Sequence, residues 1–89
     1  MTALNWEAVA KATAHPTQVA ILEKMATDSQ PISPARVVRA TKGKVGDVGH
    51  VGYHMRKLAK GGFVSLTGTG QVRGATEHFY KLTKKARKS

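Results

Sequence analysis

Residues 43–55 read GKVGDVGHVGYHM, with Gly43, Gly46, Gly49 and Gly52 recurring at every third position. Three readings compete for this stretch: a phosphate-cradling loop, a disordered linker, and a helix with an unusual surface. The phosphate-loop signature requires G-x-x-x-x-G-K-[ST], and a dinucleotide fingerprint requires a strand just before its glycines. Neither pattern is present here. From Val48 onward the apolar residues Val48, Val51, Met55 and Leu58 are spaced three, four and three apart, which is one face of a helix. The spacing predicts a helix from Val48 to Lys60, stopped by Gly61-Gly62 as a C-terminal glycine signal. Gly43 and Gly46 then belong to the turn before it. Gly49 and Gly52 lie in its first turns, where each costs about 1 kcal/mol relative to alanine. Such a helix has to be held by tertiary packing.

At 100° per residue, Val48, Val51, Met55, Leu58 and Ala59 share an inward sector, and Gly49, His50, Tyr53, Arg56, Lys57 and Lys60 the opposite one. The outward set places hydrogen-bonding side chains near the helix start and cations further along. A DNA recognition helix needs that order, with base edges reached from the first turns and phosphates from the later ones. His50 and Tyr53 suit base-edge or phosphate contacts, Arg56 a guanine edge or a phosphate, and Lys57 and Lys60 the backbone. The bare glycines Gly49 and Gly52 are expected to let the backbone approach DNA. A solvated basic helix face is the plainer alternative.

Working outward, Leu4 to Ala14 predicts a short first helix capped by Asn5 or Thr2. His15-Pro16 interrupts it, because a residue before proline is pushed out of the helical region. A second helix follows from Pro16 to Thr27, burying Val19, Ile21, Leu22 and Met25. Residues 28–31 read as a turn and Ile32 as inward-facing. Ser33-Pro34 is a helix start with serine as cap and proline at the first position, giving a third helix from Pro34 to Thr41 with Val37, Val38 and Ala40 apolar. After Gly62 the period changes. Phe63–Thr67 and Glu77–Leu82 predict two strands joined by a flexible connection through Gly68 and Gly74, hence a hairpin. Of Phe79 and Tyr80, one is expected in the core and the other partly exposed. The tail, residues 84–89, is polar and basic and is expected to fray.

The resulting fold class is α+β: a small winged helix-turn-helix, with about four helices followed by a two-stranded β-hairpin wing. Residues 1–83 form one domain and residues 84–89 a basic tail.

Charge narrows the partner. The 89 residues carry a net +10, and its distribution is uneven. Residues 1–35 hold Lys11 and Lys24 against Glu7, Glu23 and Asp28, a net −1, whereas residues 36–89 hold thirteen Lys and Arg against Asp47 and Glu77, a net +11. A field of that kind favours polyanions, so duplex DNA is the expected partner, ahead of an anionic membrane or an acidic protein. The absence of cysteine excludes disulfides, thiolate metal sites and cysteine nucleophiles. No apolar run matches a membrane span and no signal-peptide pattern opens the sequence, which predicts a cytoplasmic protein. The five acidic residues are scattered, no nucleophile–base–acid set is visible, and neither an enzyme nor a cofactor is expected.

VGHVGYHMRKLAKGGFVSL, VRGATEHFYKLT and HPTQVAILEKMA together resemble the ArsR-like winged helix-turn-helix family, particularly its actinobacterial type. That type has a V-S-Y-H-hydrophobic-R-x-L recognition helix, an R-G-A-x-E-H-F/Y-Y wing strand and an H-P-x-R-x-x-I-L segment. The resemblance covers about residues 14–83 in three motifs. It implies sequence-directed binding to double-stranded DNA for transcriptional control. It also implies that Tyr53, His54 and Arg56 lie on the recognition helix, with Val51, Met55 and Leu58 in the core. Residues from Arg73 to Tyr80 fall on the wing's return strand, where Arg73 is the best contact to a phosphate or the minor groove. Lys84 and Lys85 add backbone contacts from the tail. Gly52 stands where the family has serine and Gln18 where arginine is common.

Metal sensing occurs in the resembled family, and His50 and His54 are one helical turn apart. Two histidines leave a zinc site incomplete, however, so no metal is expected. His15 before proline reads as structural, and His54 as packing or a phosphate contact. A homodimer through the N-terminal helix is a further expectation, pairing Leu4, Trp6 and Val9, although Trp6 alone reads as a core plug. Two other functions stay open: an architectural or recombination accessory DNA-binding protein, and a protein-interaction module for an acidic partner.

Overall fold

The computed structural model describes residues 3–12, 15–28 and 31–88. It has four helices followed by a two-stranded antiparallel hairpin, the layout of a winged helix: α1 (Trp6–Ala12), α2 (Pro16–Thr27), α3 (Pro34–Ala40), α4 (Val48–Lys60), β1 (Val64–Val72) and β2 (Ala75–Leu82). The expected bounds of α2 and α4 coincide with the observed ones. Thr2, Ala14, Ser29 and Gln30, named in the expected first cap, first helix and turn, lie outside the described residues.

Local chemistry sets the helix starts. Asn5 caps α1, its side-chain oxygen accepting from the Ala8 N–H at 3.2 Å, which places the start two residues later than Leu4. Ser33 caps α3 by accepting from the Arg36 N–H at 3.2 Å, with Pro34 at the first helical position. Asp47 caps α4, accepting from the His50 N–H at 2.8 Å. An anionic cap also opposes the helix dipole, offsetting part of the cost of Gly49 and Gly52.

The core forms where α2, α3 and α4 converge on the base of the hairpin. Ile21 and Leu22 from α2, Val37 from α3, Val51 and Met55 from α4, and Ile32 between α2 and α3 are fully buried, with Phe63, Val64, Tyr80 and Leu82 closing the layer. Tyr80 is the core member of the aromatic pair and Phe79 is half-buried. Ile32 also extends the sheet: its N–H donates to the Tyr80 carbonyl and the Tyr80 N–H donates back, both at 2.9 Å. Next to this bridge the Ser33 hydroxyl donates to the Glu77 carboxylate. The wing is therefore tied to the start of α3 by backbone and side chain together.

Four expectations are corrected. Gly68 to Val72 is strand, not a flexible connection: β1 and β2 pair from Val64↔Leu82 to Val72↔Ala75, with a bulge between Leu66 and Gly68. Ladder pairing overrides the low strand propensity of glycine, and the Phe79 ring covers Gly70, standing 3.3 Å from where a Cβ would be. The tail does not fray across residues 84–88. Ala86 is fully buried, its carbonyl accepts from the Asn5 N–H at 2.9 Å, and the Lys88 N–H donates to the Ala3 carbonyl at 2.9 Å. Val48, expected inside, is half-exposed at the first position of α4. Ala40 is exposed at the end of α3.

Candidate nucleic-acid interface

α4 divides as the spacing predicts except at Val48, which is half-exposed, and Ala59, which is only partly buried. Val51, Met55 and Leu58 are buried, while Gly49, His50, Tyr53, Arg56, Lys57 and Lys60 are all exposed. Their outward face is basic and partly aromatic, with the Lys57 ammonium 5.4 Å from the centre of the Tyr53 ring. That spacing holds a cation over a π-face while leaving Tyr53 half-exposed. Arg56 reaches back along the helix, its Nη1 only 3.4 Å from where a Cβ of Gly52 would sit.

Gly52 is where the structure departs from the expected site. It is buried, facing the Pro34 ring, whose carbons lie 3.8 and 3.9 Å from a Cβ built there. Gly52 thus lies at the contact between α4 and α3, where a Cβ would fit at ordinary van der Waals distance, and does not face outward, while Gly49 remains exposed. Gly46 serves the entry to α4. It has φ of +125°, a backbone that L side chains rarely adopt, and an added Cβ would meet the His50 ring at 2.5 Å. The turn is thereby shaped to seat His50.

The remaining sequence-predicted residues are spread over the hairpin and tail. Arg73 is exposed at the tip of the wing, where Arg73 and Gly74 form the two-residue loop closing the Val72↔Ala75 pair. Both have positive φ, 51° and 81°, as in the primed turns that match strand twist. Lys84 is exposed. Lys85 has a structural partner at the opposite end of α4 from His50: its ammonium donates to the Gly61 carbonyl at 2.9 Å and lies 4.8 Å from the centre of the Phe63 ring. Cations beyond the expected set are also displayed. Arg39, Lys42 and Lys44 are exposed on α3 and on the turn into α4, and the charge asymmetry was the only sequence signal for them.

Sequence reasoning missed the seam beneath α4. His54 lies on neither of the two expected faces, yet is only 5% exposed, and it meets the first turn of α2. Its Nδ1 stands 3.0 Å from the Gln18 amide nitrogen, and its ring centre is 4.2 Å from that of His15 and 4.7 Å from that of His50. His50 Nε2 is 3.2 Å from the Thr17 hydroxyl. His15 caps α2, its Nδ1 accepting from the Thr17 N–H at 3.2 Å. Burial first, and then the nearby His15, His50 and Lys57, hold the His54 imidazole below the ordinary histidine pKa. Among the described residues no group of three or more ligating side chains is disposed to hold a metal ion, although three imidazoles gather here.

The three residues expected to pair with a second copy are divided. Leu4 and Val9 are buried in the protein's own core, whereas Trp6 is half-exposed, so it is not the core plug its type suggests. Trp6 borders a shallow groove lined also by Leu4, Glu23, Ala26 and Lys88. No helix among the described residues is long and apolar enough to cross a membrane.

No protein family matches the chain, and no curated protein matches it.

Proposed function

We propose that this protein binds double-stranded DNA with sequence preference, laying α4 in the major groove and the hairpin beside it, and acts as a transcriptional regulator of the ArsR-like winged helix type. One observation carries the reading. A single helix, packed by its apolar stripe and preceded by a turn, presents His50, Tyr53, Arg56, Lys57 and Lys60 together on its open face. Side chains that match base edges precede those that match phosphates along that face. The net +11 of residues 36–89 supports the same partner, and Arg73 at the wing tip gives a second point of contact. A small domain that covers its site can exclude RNA polymerase with no further module.

Selection of bound sequences from a random duplex pool at stated salt tests the proposal. A strongly preferred short site is expected, and Tyr53→Ala and Arg56→Ala should each reduce the preference by about 1–3 kcal/mol if they contact bases. Unchanged preference in both variants removes α4 as the reading element. Binding without preference but with DNA bending supports the architectural reading instead, which the high net charge also suits. We take one chain as the binding unit, since Leu4 and Val9 are not available to a partner. A palindromic selected site with half-sites about 10 base pairs apart would favour a dimer.

A further inference from the structure

Three of the chain's four histidines meet at one joint. His15 stands at the cap of α2, and His50 and His54 stand one turn apart on α4. Their hydrogen bonds are of a particular kind. The Thr17 N–H is a fixed donor, so His15 Nδ1 has to be an unprotonated acceptor. The Gln18 amide nitrogen is likewise a donor facing His54 Nδ1. In a neutral imidazole one nitrogen accepts while the other carries the proton, but in the cation both nitrogens donate. The His50–Thr17 contact tolerates either state, because a hydroxyl both donates and accepts, and the Gln18 amide meets a protonated ring only by turning its oxygen toward it.

We propose that His54, clustered with His15 and His50, is a proton-operated latch between α2 and α4, in which its neutral ring holds the first two turns of α4 against α2 and proton uptake by His54 releases them. Protonation of His54 obliges the Gln18 amide to turn its oxygen toward the ring and buries a cation. The surroundings amplify that cost. From the α2 side, His54 meets His15 and the uncharged Gln18. From its own helix it meets His50, Tyr53 at 5.2 Å between ring centres, and Lys57. Asp47 is the nearby carboxylate, and it is engaged with the His50 backbone N–H. None of the groups that shift the His54 equilibrium stabilises its cation. The released state exposes the His54 ring and returns its pKa toward the ordinary value, so His54 binds the proton more readily there and acid favours release.

The latch is tested without DNA, by amide hydrogen exchange of the full chain between pH 7.5 and 5.5, with rates corrected for intrinsic exchange. Protection of residues 48–55 should fall below pH 6.5 by up to about tenfold per pH unit for each extra proton bound on release, and should lie below that of the hairpin at pH 5.5. By ring NMR, His54 should titrate below the ordinary histidine value. The double variant His15→Asn/His54→Gln keeps cap and amide chemistry without titration and should make the profile flat. Constant protection of residues 48–55 in the unsubstituted protein overturns the latch, as does protection there no lower than the hairpin's at pH 5.5, which would mean that they open only by global unfolding. Both readouts on the unsubstituted protein stand even if the variant does not fold. Absence of a preferred site in the duplex selection would overturn the DNA-binding proposal and leave the latch intact.

Discussion

The Gln18 side-chain amide donates to the ring Nδ1 of His54 across 3.0 Å, joining the first turn of α2 to the middle of α4. The two residues are 36 positions apart in sequence, and the bond gives a buried imidazole the donor it requires. An arginine at position 18 would instead bring another cation to His15, His50 and Lys57.

Gln18→Ala should therefore leave a buried acceptor without a partner, which costs about 1–3 kcal/mol. Urea unfolding at pH 7.5 measures this, and a loss under about 0.5 kcal/mol would show that water replaces the amide. Gln18→Glu supplies an anion to the ring. Its deficit should shrink at pH 5.5, where a charged His54 becomes the favoured partner.

Global stability should fall on acidification through the histidine range. The folded-state pKa of His54 is lowered from the ordinary 6.5. The unfolded chain therefore takes up a proton first, and stability present above pH 6.5 is lost as pH falls from there toward the folded value. Unfolding midpoints from pH 8 to 5 check the sign. His54→Gln should lose this slope, while His78→Gln should keep it.

Gly52 predicts opposite outcomes for a small and a large replacement. A Cβ there makes ordinary contacts with Pro34 and with the mobile end of Arg56, so Gly52→Ala should gain up to about 1 kcal/mol of helix propensity. Gly52→Leu wedges α3 away from α4 and should lose about 1–3 kcal/mol through overpacking. Thermal unfolding of the two variants gives the comparison.

Ala86 ties the basic tail into the core. Ala86→Glu buries an unpaired carboxylate at a fully enclosed position, and so should destabilise by more than about 2 kcal/mol. Equal stability of this variant and the unsubstituted chain would mean that residues 84–88 do not dock in solution.

Salt dependence separates the cations. If Lys57 and Lys60 contact phosphates, removing each should flatten the slope of log affinity against log salt by roughly 0.9. Lys85→Ala should change the slope less, because its ammonium is engaged with the Gly61 carbonyl and the Phe63 ring. Its main effect should be on stability. Affinity measured at four or more salt concentrations distinguishes the two classes.

The four helices, the hairpin and the outward face of α4 were legible because each follows from local pattern. Serine before proline, the three-four-three apolar spacing and the paired glycines at 61 and 62 act within a few residues of one another. The burial of Gly52, the docking of Ala86 and the strand character of Gly68 to Val72 were not legible, because each depends on a distant partner: Pro34, Asn5 and Phe79.

The repeated glycines of residues 43–55 show the division most clearly. Their sequence determined that a turn gives way to a helix at Val48, since periodicity and capping are short-range effects. Tertiary structure decided where each glycine stands: Gly46 seats the His50 ring, Gly49 stays open, and Gly52 packs against Pro34 of α3. It likewise brought His15 to the His50 and His54 pair that the sequence had placed one helical turn apart. Hydrogen bonds and burial depend on distances in space, and only the packing of α2 against α4 sets those distances.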